Sequence, residues 1–230
     1  MMIELTSTPI ILMVILGVAG MIIPVINVLR RERGSSTFYG AIAFGALLLA
    51  LGFVIFQFYD DNLAPAAVFS EDVLADDGFG SFFAIAMLIV SIMTVAGSFN
   101  YMRKRSNPAI YFSLILLSSI GMVLIAFATD LVMLFVAWEL MSIPTYILAG
   151  FNKKNPSSNE AAIKYFLFGA LSSGIIIYGI SLAYGITGST NIGDVIYGFA
   201  NLSPDMLPLG LLAIGMFIAG FGFKMGLVPF

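Results

Sequence analysis

The stretch AIYFSLILLSSIGMVLIAFA (Ala109–Ala128), then Thr129-Asp130, then LVMLFVAWELMSIPTYILAGF (Leu131–Phe151) decides the fold. Each apolar run is about 20 residues long, and 20 residues rising 1.5 Å each cross a hydrocarbon core of about 30 Å. With only Thr129 and Asp130 between them, the two runs read as a tight helical hairpin that crosses a bilayer and returns. Five further runs of spanning length surround this pair: Thr8–Leu29, Phe38–Phe58, Phe79–Met102, Ala161–Thr187 and Leu207–Pro229. The sequence therefore predicts an all-α, polytopic membrane protein of about seven transmembrane helices. Composition agrees: 60% of the 230 residues are hydrophobic, 10% are charged, and mean hydropathy is +1.04. A soluble domain cannot bury that much apolar surface, whereas lipid can solvate it.

The first run is not read as a cleaved leader. Glu4 precedes it and Arg30, Arg31 and Arg33 follow, the reverse of a signal peptide's basic flank. The loops after the first, third and fifth runs carry those arginines with Arg103, Lys104, Arg105, Lys153 and Lys154. The opposite loops hold Asp60, Asp61, Glu71, Asp72, Asp76, Asp77, Asp130, Asp194 and Asp205, and no basic residue. That segregation predicts an N-terminus outside and a C-terminus inside. The acidic loop from Tyr59 to Gly78 is assigned no function.

Zero Cys and zero His exclude disulfides, imidazole or thiolate metal sites, His-ligated haem, Fe–S clusters and His-based nucleophilic triads within this chain. There is no P-loop and no basic nucleic-acid patch. The remaining chemistry belongs to ionisable groups in the membrane, each costing about 2.5–3.5 kcal/mol at a helix centre on insertion scales. Glu139 lies nine residues past Asp130, hence about 13–14 Å into the bilayer. Pro144 cannot donate to the carbonyl of Leu140, which leaves an acceptor beside the acid. The plain alternative is a neutral Glu hydrogen-bonded between helices.

Lys164 falls one turn past Glu160, about 6 Å from the start of a helix that a capping box at Ser157-Ser158-Asn159-Glu160 would open. At that depth it can equally snorkel to the headgroups. Lys224 falls about 24 Å along the last run, among Gly210, Gly215, Gly220, Gly222 and Gly226. Those glycines and Pro229 suggest a broken helix of the kind that carries ion sites in transporters. Snorkelling, or close packing of a Gly222-xxx-Gly226 motif, are the competing readings. Trp138 and the many Phe residues read as lipid-facing or packing residues.

Several motifs occur in order. They are Trp138-Glu139-Leu140-Met141-Ser142, then NEAAIKYFLFGALSS from Asn159, then YGITGST from Tyr184, then Gly222-Phe223-Lys224 with Pro229-Phe230. From about Asn107 onward the chain thus resembles the antiporter-like, proton-translocating subunits shared by complex I, F(420)H(2) dehydrogenase and multisubunit sodium/proton antiporters. It looks most like their N-type subunits. The resemblance implies three leading helices (1–106), then an incomplete first five-helix repeat (107–230). It implies a proton relay in which Glu139 pairs with Lys224 and Lys164 stands nearby, approach or withdrawal of the acid switching the lysine between loading and release. It implies a cell-membrane location, homologous membrane partner subunits, no cofactor in this chain, and flavin and Fe–S clusters in partner subunits. NADH or F(420)H(2) would be the donor, and a quinone or methanophenazine the acceptor. Family members continue into a second repeat, so the resemblance implies a fragment or a companion chain. A sodium/proton antiporter subunit without redox chemistry is the alternative. A retinal-bearing protein with Lys224 as Schiff base is disfavoured by the single Trp, and a plain scaffold is the third reading.

Overall fold

The computed structural model describes residues 7–30, 35–59, 73–103 and 105–228. Among them are eight helices: α1 (Thr8–Leu29), α2 (Ser36–Tyr59), α3 (Gly78–Met102), α4 (Pro108–Phe127), α5 (Leu131–Ala149), α6 (Pro156–Thr187), α7 (Ile192–Ala200) and α8 (Leu207–Lys224). All but α7 are long and apolar enough to cross a membrane, which makes this a multi-pass membrane protein. Arg31, Arg33, Lys104, Asp60, Asp61, Glu71, Asp72 and Pro229 lie outside the described residues.

The core sits around α4, which packs on α1, α2, α3 and α5. Leu12, Leu16, Tyr39, Leu47, Leu88, Phe112, Leu116 and Phe127 are fully enclosed there. Gly121 sets the crossing of α4 on α5: a Cβ there would lie 2.3 Å from the Met141 nitrogen and 2.6 Å from the Ala137 oxygen. Small residues let transmembrane backbones approach this closely.

One end of the bundle is fastened by backbone hydrogen bonds between non-helical segments. Ala75 N–H donates to Phe127 O, Thr129 N–H to Val73 O, Leu131 N–H to Thr190 O and Ile192 N–H to Thr129 O. The acids at this end serve helix starts. Asp77 accepts from Gly80 N–H to cap α3, Asp130 caps α5 through Val132 and Met133, and Asp76 accepts from Thr8 N–H.

Three expectations need correction. α6 begins at Pro156, not near Ala161: Asn155 caps it by accepting from Ser157 N–H, so the proposed box at Ser157–Glu160 already lies inside the helix. At 32 residues α6 is about 48 Å long and must project beyond the hydrocarbon. The segment after Gly188, read only as a loop, contains α7, capped by Asn191 and carrying Asp194 in its first turn. Finally, the last span stops at Lys224. Gly226 takes φ +67°, Gly226 N–H bonds Phe223 O and Leu227 N–H bonds Gly222 O. These bonds form a Schellman stop, so Gly226 ends the helix rather than serving a GxxxG packing face.

Candidate functional site

α8 rests mainly on α6. The contact is made by small residues: a Cβ on Gly220 would lie 2.4 Å from Ile176 Cγ1, and one on Gly179 would lie 3.1 Å from Met216 and Phe217. Ser172 Oγ donates to Gly220 O at 2.7 Å and ties the two backbones. That packing carries the end of α8 to the level of Glu139 on α5.

There Lys224 Nζ donates to Glu139 Oε1 at 2.6 Å, joining residues 85 apart in sequence. The Lys224 side chain is 4% exposed and that of Glu139 23%, so the amine is enclosed while the acid keeps one open side. The site therefore brings together two of the three residues expected from sequence. The depths of about 13–14 Å and about 24 Å, each measured from its own helix start, differ by more than the roughly 6 Å stem of a lysine. Starting α8 further out than α5, or leaning it, takes up the remainder.

Lys164 is not part of this pair. It bonds Glu160 one turn earlier on α6, with both side chains 65% exposed. Because α6 starts at Pro156, Lys164 is about 12 Å along it rather than about 6 Å.

Three neighbours of the pair were not foreseen. Ser173 Oγ donates to the same Glu139 Oε1 at 2.5 Å. Trp138, read as a lipid-facing or packing residue, has its ring centroid 6.0 Å from Lys224 Nζ and packs on Phe221 at 5.4 Å. That is the outer limit of a cation–π contact. Tyr146, buried on the same α5 face, packs its hydroxyl against Gly169. The only signal in the sequence was polar: Ser172-Ser173 interrupts an apolar run, and Ser142 and Tyr146 follow Glu139 at helical spacing.

Hydroxyls also surround Pro144: Ser142 donates to Trp138 O, Thr145 to Ser142 O, and Ser118 of α4 to Met141 O. These bonds go to carbonyls near Leu140 O, the one that Pro144 leaves without its helical donor. Among the described residues no group of three or more His, Cys, Asp or Glu side chains gathers to hold a metal. The arrangement offers a proton donor and acceptor in contact, flanked by hydroxyls, within a span.

The chain is similar to known proteins. Residues 128–230 match the family described as NADH:quinone oxidoreductase/Mrp antiporter, TM. NADH-quinone oxidoreductase subunit N of Desulfitobacterium hafniense is 38% identical over 99% of this chain and 44% of its own length. F(420)H(2) dehydrogenase subunit N of Methanosarcina mazei is 39% identical over 71% of this chain and 32% of its own. A chain of respiratory complex I from Thermus thermophilus superposes with TM-score 0.74 at 29% identity, covering 95% of this chain and 45% of that one. The chain spans less than half the length of these relatives. With its motifs, span count and fold all in agreement, the chain belongs to the NADH:quinone oxidoreductase/Mrp antiporter transmembrane family.

Proposed function

We propose that this chain belongs to a proton-translocating membrane subunit of a redox-driven, complex I-like dehydrogenase in the cell membrane, oxidising NADH or F(420)H(2) and reducing a quinone or methanophenazine. Flavin and Fe–S clusters would reside in its partner subunits, among them other antiporter-like membrane chains. Residues 1–106 would supply three leading helices and 107–230 most of one repeat, with the N-terminus outside. The observation that carries this reading is the enclosed Lys224–Glu139 contact between α5 and α8. Removing water from a lysine disfavours its charged form, and an adjacent carboxylate favours it. Separating or protonating the acid therefore releases a proton from the amine, and restoring it reloads the amine. Lys164 is proposed as a peripheral member, toward the start of α6, which follows Lys153 and Lys154.

Proton uptake per electron, measured in inverted membrane vesicles carrying the full-length protein, tests this. Glu139→Gln and Lys224→Ala should each lower it, with the amount of assembled complex unchanged. Lys164→Ala should have a smaller effect. Parallel losses of assembly and pumping would mean that the pair is structural. The second reading, a cation/proton antiporter without redox chemistry, draws on the family description, which also names Mrp antiporters. Flavin and Fe–S subunits co-isolating with the chain would decide against it.

A further inference from the structure

The relay reading leaves a requirement unmet on Glu139: its carboxyl must be held both with and without its proton. A carboxyl placed between helices needs a hydrogen-bond partner in either state. Ser173 meets the requirement by geometry. Its Oγ lies 2.5 Å from Glu139 Oε1, the oxygen that also receives Lys224, and 2.9 Å from the Gly169 carbonyl one turn back on α6. A hydroxyl has one proton to give and two lone pairs to receive. It can serve only one of those acceptors at a time.

We infer that Ser173 is a two-position hydroxyl that follows the protonation of Glu139. With the acid ionised, the hydroxyl proton points at Oε1 and joins the ammonium in stabilising the carboxylate. When Lys224 passes its proton to Glu139, the N–H bond breaks and an O–H bond forms, giving a neutral amine and a neutral acid. The serine then turns its proton to Gly169 O and receives the new Glu139 O–H on its freed lone pair. Atoms and charge balance, and Glu139 keeps a partner in both states. Ser173 is thus a positioning residue that lowers the cost of the exchange, and the inference rests on the relay reading of this pair.

Infrared difference spectroscopy of the complex in membranes, recorded between acid and alkaline buffers, tests it. The groups that face this carboxyl are Lys224 on α8, Ser173 on α6 and, further along α5, Tyr146, with Tyr165 of α6 packed on Tyr146. A carboxylic C=O band that disappears in Glu139→Gln belongs to Glu139. In Ser173→Ala that band should move to higher frequency, as an acid with one hydrogen bond fewer absorbs. In Ser173→Thr, which keeps the hydroxyl, it should stay near its original place, and proton uptake should be rescued with it. A Glu139 band that Ser173→Ala leaves unmoved overturns the serine inference alone. If no Glu139 band appears in any buffer, the carboxyl does not exchange a proton, and the relay reading falls together with the serine.

Discussion

α4 and α8 cross the same membrane but are held in different ways. Thirteen of the 20 residues of α4 are buried, including Phe112, Leu116 and Phe127. Only four of the 18 in α8 are, and all of them are Gly or Ala. α4 stands in an interdigitated core built from large side chains, as a soluble protein would have. α8 is held by backbone proximity to α6 and by single polar bonds. In lipid the outward apolar faces cost nothing, so packing rather than burial must secure each helix. Among the described residues the ionic contact thus lies where few large side chains lock the structure, and the rigid packing lies elsewhere. The polar groups follow the same division. In the tight block they are hydroxyls committed to structure, such as Ser113 to Gly20 O and Ser119 to Ser91. Around α8, Ser173 and Lys224 converge on Glu139.

Truncations should separate the two regions most clearly. Leu116→Ala, at a fully enclosed position of α4, should cost about 2–5 kcal/mol as a core cavity does, seen as a lower unfolding temperature in detergent. Leu211→Ala, on the 60% exposed face of α8, should leave that temperature nearly unchanged; comparable losses would erase the contrast. Next in size is Gly121→Ala at the joint between the regions, where the new methyl meets the backbone of α5. Overpacking of that kind costs about 1–3 kcal/mol. An unaffected protein would mean that α4 and α5 are further apart than described. Smallest is Ser172→Ala, which removes one bond between α6 and α8, worth about 0.6 kcal/mol by membrane-protein precedent. A cost several times larger would show that α8 hangs on this bond alone.

The spans were legible because roughly 20 apolar residues admit few other readings, and α1 matches its run end to end. The errors fell where hydropathy has no voice. Ser157, Ser158, Asn159 and Glu160 are polar, so the projecting first turns of α6 looked like loop. α7, with nine residues, is too short to register as a span. Glu139 stood out from residue type and depth alone, but its pairing with Lys224 could be read only from motif resemblance, since periodicity cannot join helices so far apart in sequence. Ser173 could not be told from any other serine bonding back one turn in an apolar helix, because its second acceptor belongs to another helix.

The Schellman stop at Gly226 has an electrostatic consequence. Lys224 occupies the last turn of α8, where aligned peptide dipoles amount to about half a negative charge. With one ammonium and one carboxylate beside it, the site sums to about −0.5. In the relay proposed above, passing the proton from Lys224 to Glu139 would leave that sum untouched, and distant groups would feel almost nothing. Sending the proton away takes the sum to about −1.5, a change that neighbouring charges along the membrane would sense. In that proposed relay the cluster would be silent while a proton moved within it, and would announce only the proton's departure.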